Sequence, residues 1–270
     1  MSRREDKGTA VVTGASQGIG AVYARKLAER GHDLVLAARN EPRLRENAAA
    51  IRAATGRQVE VVVADLSTAA DVASLAERLR RDSAITILVN NAGTAAPGGL
   101  LASDAEVIAR LIALNVTAPT LLAQAAAQAF IARRSGAIVN VSSVTAFAPE
   151  LFDGPYSGSK SYMLNLTLSL AAKAKDSGVR FQAVLPGPTN TDMWARSGVP
   201  TSVIPRERIM EPEDLVEAAL TGLDRGEIVT APTIADESVW KAYEAARHAL
   251  GPYLAAGQPA PRYRVPATAA

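Results

Sequence analysis

Four polar residues of this 270-residue chain have the types and spacing for proton-transfer chemistry: Asn115, Ser143, Tyr156 and Lys160. Tyr156 and Lys160 are four residues apart, so a helix would put them on one face. A tyrosine near its ordinary pKa of ~10 is a poor base at neutral pH. An ammonium beside it favours the phenolate, as would the positive charge of an oxidised nicotinamide. Such a pair gives a proton in one direction and takes it back in the other. Lys160 also has donors to hold ribose hydroxyls. Ser143 lies thirteen residues before Tyr156, and its hydroxyl can hold a carbonyl oxygen as negative charge develops there. Ser142 competes for that role, but neighbouring strand residues face opposite sides, so only one of the two faces the site. Asn115 interrupts the apolar run Leu111, Ile112, Leu114 and Val116. Asn is a weak helix former, and a buried amide needs partners. It reads either as a surface or capping residue or as the anchor of a water that links Lys160 to solvent.

Upstream lies Thr13-Gly14-Ala15-Ser16-Gln17-Gly18-Ile19-Gly20, where a β-branched run turns into a helical one. A dinucleotide needs a tight turn, no side chain between backbone and pyrophosphate, and a helix N-terminus aimed at the negative charge. The spacing is G-x-x-x-G-x-G rather than the commoner G-x-G-x-x-G, and turn chemistry alone would also use these glycines. Asp65 and Leu66 end a third strand, where a carboxylate can accept from an adenine amino group. Asn90-Asn91-Ala92-Gly93 ends a fourth, where small residues let backbone approach the adenosine ribose and Asn90 can tie neighbouring strands. The second strand ends Leu36-Ala37-Ala38-Arg39-Asn40. An acid at that point would bond the ribose 2′-hydroxyl and repel a 2′-phosphate. Arg39 stands there instead, able to pair with a phosphate in a fork. NADP(H) is therefore expected over NAD(H). The competing reading pairs Arg39 with Glu41 in a solvated loop.

These residues need a frame, and the chain alternates short β-branched runs with longer alanine-rich helical stretches. Strands are expected at 9–13, 33–38, 59–64, 85–90, 137–141, 179–185 and 227–231. Helices are expected at 18–30, 41–54, from Ser67 or Thr68, 103–132, 155–175, 212–224 and 236–250. Such alternation implies right-handed crossovers and a single-domain, doubly wound parallel α/β sheet of about seven strands, with ligands at the strands' carboxyl ends. One domain over 1–250 and a proline-rich, extended or disordered tail over 251–270 are the expected organisation.

Composition narrows the function classes. The net charge of +2, with cations scattered among acids, gives no nucleic-acid footprint. With no cysteine there is no thiol nucleophile and no Cys-based zinc site, and two distant histidines, His32 and His248, suggest no metal. The charged N-terminus lacks the apolar core of a signal peptide. No apolar run approaches the ~20 residues that span a bilayer, so a cytoplasmic, membrane-free protein is expected. Aromatics are only 4% and alanine is abundant, which suits a parallel sheet under close-packed helices.

In order and spacing, Thr13–Gly20, Asn90–Gly93, Asn115, Ser143, Tyr156-Ser157-Gly158-Ser159-Lys160 and Pro186-Gly187 resemble the short-chain dehydrogenase/reductase family in its single-domain form. The resemblance runs from about Thr9 to Ala231. It implies Tyr156 as acid/base, Ser143 (by spacing, rather than Ser142) as carbonyl polariser, Lys160 as ribose holder, and Asn115 as proton-relay anchor. It also implies Pro186-Gly187 as the nicotinamide-side turn, with Thr189 and Thr191 towards carboxamide and pyrophosphate. Many relatives are homodimers or homotetramers joined through the helices that hold Asn115 and Tyr156. Ala95, Val144, Ala146, Phe147, Leu151, Phe152, Met193 and Trp194 flank the catalytic set and are mostly apolar, with no adjacent cation for a carboxylate. A hydrophobic ketone or aldehyde is the implied substrate, beneath a mobile lid over 190–210. Thr191-Asp192-Met193 is shared with 3-oxoacyl-carrier-protein reductases, but their glycine-rich ending is absent. The alternatives are a 3-oxoacyl-thioester reductase, an alcohol or steroid dehydrogenase, and a non-catalytic NADP(H)-sensing regulator.

Overall fold

The computed structural model describes residues 7–193 and 204–263. Seven strands form one sheet: β1 (Thr9–Thr13), β2 (Asp33–Ala38), β3 (Val59–Val63), β4 (Ile85–Asn90), β5 (Gly136–Val141), β6 (Val179–Val184) and β7 (Val229–Thr230). Their order is β3-β2-β1-β4-β5-β6-β7 and every pairing is parallel. Central strands are buried on both faces, so they read as unbroken apolar runs rather than alternations: Ala10, Val11 and Val12 are all inaccessible. One face carries α1 (Gly18–Glu29), α2 (Glu41–Thr55) and α7 (Pro212–Asp224). The other carries α3 (Ala69–Arg81) and α5 (Ala118–Ala132). Strand order reverses between β1 and β4, which opens a crevice at their carboxyl ends.

Local signals set the helix ends. Asn40 Oδ1 accepts from Arg43 N at 3.1 Å and starts α2, which stops at left-handed Gly56. Of the two expected caps on α3, Thr68 does the work, and Ser67 bonds Asp65 instead.

The long helix expected over 103–132 is α4 (Ala105–Ile112), a π turn over Ala113–Thr117, and α5, run together. Over Ala105–Ala132 it is 28 residues long, and by length and composition alone it could cross a membrane, a test that the core helix of a folded domain also passes. The inward residues Ala118, Leu122, Ala126 and Phe130 pack in the core against α3 and the sheet.

The chain divides into two compact units, one through Pro232 and one from Thr233. The second unit holds α8 (Glu237–Ala249), none of whose residues is buried, and short 3-10 turns at Gly251–Tyr253 and Pro261–Tyr263. Between those turns, residues 254–260 form no helix or strand. Of the expected lid, residues 194–203 lie outside the described residues.

His32, at the start of β2, is buried and has its pKa held below the usual histidine value, first by burial and then by Lys7, Arg57 and Arg30. The fold therefore favours neutral imidazole, and the unfolded chain binds more protons. Stability is expected to fall as pH drops below about 6.5. Urea unfolding at pH 7.5 and pH 5 checks this, with the slope reduced in His32→Gln.

Candidate active site

The end of β5 and the start of α6 (Gly154–Lys173) are laced together around the catalytic candidates. Ser142 Oγ donates to the Lys160 carbonyl at 2.7 Å, and Lys160 Nζ donates to the Val141 carbonyl at 2.9 Å. Ser142 is thus committed to holding the helix. The Ser143 hydroxyl accepts from Thr145 N at 3.2 Å and pulls the Tyr156 pKa down. Of the two serines, Ser142 faces the Lys160 carbonyl and Ser143 faces Tyr156. Ser143, Tyr156 and Lys160 are all buried.

Burial governs their protonation. It pushes the Tyr156 hydroxyl up to about 12, against the opposing pull of Ser143, and pushes Lys160 down to about 8. The sequence argument expected the ammonium to favour phenolate. Instead Lys160 Nζ lies 5.5 Å from the Tyr156 ring centroid, and loss of hydration is the largest influence on the hydroxyl. In the protein alone Tyr156 keeps its proton at neutral pH, the state a proton donor requires.

Asn115 is buried in the π turn, an irregularity that recurs at functional sites. Its amide donates to Thr94 O at 2.8 Å and Ser159 Oγ at 3.1 Å, and Oδ1 accepts from Thr94 N at 2.9 Å. Ser159 Oγ in turn donates to Tyr156 O at 2.7 Å. Asn115 thus ties the loop after β4 to the helix of Tyr156 and Lys160. Both amide protons are spent within the protein, so the amide group itself has no proton left to hold the expected water. Asn90 ties β4 to β5 through Asn140 at 2.9 Å, as read from the sequence.

A cleft of about 390 Å³ runs along the carboxyl ends of β1–β4. Its walls include Gly14, Ser16, Gln17, Gly18 and Ile19 from the glycine turn, Arg39 after β2, Asp65 and Leu66 after β3, Asn91, Ala92 and Gly93 after β4, and Thr191 and Met193 after β6. Gly14 has φ +68°, and a Cβ there would meet Asn91 Nδ2 at 2.8 Å and Ala92 Cα at 2.9 Å, so only glycine closes this turn. Gly20 packs behind it in the first turn of α1. Pro186, Gly187 and Thr189 stand apart from this lining. The Pro186 carbonyl accepts from Val144 N at 3.0 Å, and Thr189 Oγ1 donates to Gly187 O at 3.0 Å. Among the described residues no three His, Asp or Glu side chains gather as metal ligands.

Where the cleft passes the ends of β2 and β3, Asp65 accepts from Ser67 and from Arg110 at 2.7 Å, with Arg39 at 3.9 Å. Burial alone would raise its pKa, but these partners hold it below the usual carboxylate range. A base amino group would therefore share an acceptor that is already engaged. Arg39 is 64% exposed at its side chain. Sequence reasoning missed Arg43. The Asn40 cap places it in the first turn of α2, and helical side chains lean back towards the N-terminus. Its guanidinium bonds Gln17 Oε1 and lies 3.4 Å from Asp192 Oδ2, across the cleft mouth.

The expected substrate wall is assembled in part. Phe152 packs on Tyr156 with ring centroids 5.0 Å apart, and the Tyr156 hydroxyl lies 3.8 Å from Met193 Sδ. Ala95 is buried, while Val144 and Phe147 pack beside Leu164 and Leu185. Trp194 lies outside the described residues.

Residues 8–199 match the short chain dehydrogenase family. The chain belongs to that family. As a short-chain dehydrogenase it is an oxidoreductase with the doubly wound sheet described above. It is 45% identical to a short-chain dehydrogenase from Sphingobium yanoikuyae solved in complex with NADPH, over 95% of this chain and 100% of that one, with a TM-score of 0.91. It is 39% identical to the bulky-bulky ketone specific alcohol dehydrogenase from Comamonas testosteroni, over 96% and 99% of the two chains, with a TM-score of 0.88. Cis-4-hydroxycyclohexanecarboxylate dehydrogenase from Sinomonas cyclohexanicum is 37% identical over 77% of this chain and 86% of that protein.

Proposed function

We propose that this short-chain dehydrogenase reduces a hydrophobic ketone or aldehyde at the expense of NADPH. The observation that carries the reading is the buried Ser143–Tyr156–Lys160 set beside a cleft that Arg39 lines, with no acid ending β2. Bound there, NADPH supplies a hydride. Gly14 and the α1 N-terminus leave room and positive potential for pyrophosphate. Lys160, with one of its three ammonium protons on Val141 O, has the others for ribose hydroxyls. Ser143 steadies the substrate oxygen, and the Tyr156 hydroxyl gives it a proton. Phe152 and Met193 beside that hydroxyl favour an apolar group on the carbonyl carbon, and likeness to enzymes named for NADPH and bulky ketones supports the same choice.

Steady-state oxidation of NADPH and of NADH, over bulky hydrophobic ketones, then 3-oxoacyl thioesters and aromatic aldehydes, tests this. NADPH-dependent turnover of the ketones is expected, and preference for the thioesters would move the assignment to an oxoacyl reductase. Arg39→Ala is expected to weaken NADPH about tenfold while sparing NADH, the scale of one charge-assisted hydrogen bond at an exposed site. Dissociation constants for the two cofactors read this directly, and equal loss for both would remove Arg39 from the 2′-phosphate.

A further inference from the structure

Strands β2 and β3 run parallel with Ala38 opposite Val63, and Ala64 N extends the ladder to Ala38 O at 3.0 Å. The next residues out, Arg39 and Asp65, meet at the cleft that both line. An acid beside the arginine read above as the 2′-phosphate holder works against that role: it attracts the guanidinium and repels the phosphate. Yet Arg39 Nη1 stays 3.9 Å from Asp65 Oδ2, outside hydrogen-bond range, and Arg39 makes no side-chain hydrogen bond among the described residues.

A second arginine accounts for the gap. Arg110, in the last turn of α4, reaches across 45 residues of sequence and donates from Nη2 to the same Oδ2 at 2.7 Å. Oδ1 is taken by Ser67, through N at 3.0 Å and Oγ at 2.6 Å, and Asp65 N donates to Asp71 Oδ2 at 2.7 Å. Both carboxylate oxygens and the backbone behind them are therefore engaged. The acid next to Arg39 in sequence, Glu41, is taken in the same way: its Oε1 accepts from Arg45 Nε at 2.9 Å and from Arg45 Nη2 at 2.6 Å. Each acid has an arginine of its own, and Arg39 is the guanidinium left over. With Arg110 in place, Arg39, Arg110 and Asp65 carry a net positive charge. Without it they cancel, a poorer site for a phosphate of about −2 charge.

We infer that Arg110 is a positioning residue for cofactor choice: by holding Asp65 Oδ2 it leaves the Arg39 guanidinium free for the 2′-phosphate of NADPH. The inference rests on the NADPH reading above. Arg110 is 52% exposed at its side chain, so Arg110→Met removes the guanidinium without opening the core. Calorimetric titration of this variant is expected to show Kd for NADPH raised about fivefold and Kd for NADH within about twofold of wild type, the scale of one exposed ion pair. Adding Asp65→Asn removes the carboxylate that would capture Arg39, and should bring the ratio of the two constants back to within about twofold of wild type. Any effect of that change on adenine falls on both cofactors and cancels in the ratio. In the Arg39→Ala background, Arg110→Met should move the ratio by less than about twofold. Equal weakening of both cofactors, an unchanged ratio, no recovery with Asp65→Asn, or a full effect in the Arg39→Ala background would overturn the inference while leaving the NADPH reading intact. A wild-type protein that binds NADH as tightly as NADPH would overturn that reading and the inference with it.

Discussion

Tyr156→Phe is expected to lower kcat by about 10²–10⁴-fold, the range for a positioned general acid, and to leave NADPH affinity unchanged. The hydroxyl is the one group the substitution removes, and its neighbours are Ser143 and Met193 rather than the cleft's phosphate-binding turn. The Phe152 ring contact survives, so the pocket keeps its shape. Because burial pushes Tyr156 up to about 12, the wild-type hydroxyl holds its proton throughout the neutral range and loses none of its donor capacity there. Single-turnover oxidation of NADPH with saturating ketone isolates this step from product release. Retained turnover would move the proton donor elsewhere.

Lys160→Met is expected to abolish most turnover and raise stability. The ammonium is buried, and burial lowers its pKa from 10.5 to about 8. That displacement corresponds to about 3 kcal/mol against the folded state at neutral pH. The methionine stem fills similar space without the charge, while the bond to Val141 O is lost at a cost of about 1 kcal/mol. A net gain of about 1–2 kcal/mol would raise Tm by roughly 2–8 °C for a domain of this size. The sign with pH follows. Between about 8 and 10.5 the unfolded chain holds more protons at this lysine than the folded one, so the lysine's contribution makes wild-type stability rise with pH across that window. The Met variant lacks that component. Thermal melts at pH 7 and pH 10 test both statements, and a variant that melts lower at pH 7 would show that the Val141 contact outweighs the buried charge. A functional group held at the expense of the fold is the stability–activity trade-off expected of a working site.

Much of the frame was legible because buried parallel strands write themselves as runs such as Thr9–Thr13 and Ile85–Asn90, and caps such as Thr68 announce the next helix. Short edge elements were less so: the last strand keeps only Val229 and Thr230, since few neighbours define it. The π turn around Asn115 left a trace in the sequence, an Asn amid apolar residues, but helical periodicity cannot distinguish a π turn from an uninterrupted α-helix. Arg43 was missed because it belongs to no motif. Its contacts come from where a cap turns the side chain, which spacing along one segment does not encode. The direction of the Tyr156 shift was misjudged for a similar reason: sequence shows which charges are near, whereas burial is set by the whole fold.

The most direct test of the account is to supply NADPH deuterated at the nicotinamide C4 position together with a bulky hydrophobic ketone, and to locate the label in the product by mass spectrometry. The account predicts deuterium on the carbinol carbon of the alcohol, transferred by the wild-type protein and almost not at all by Tyr156→Phe. NADPH that binds tightly but delivers no label to any carbonyl carbon across the ketone, thioester and aldehyde panel would contradict it, and would leave a protein that senses the cofactor rather than spending it.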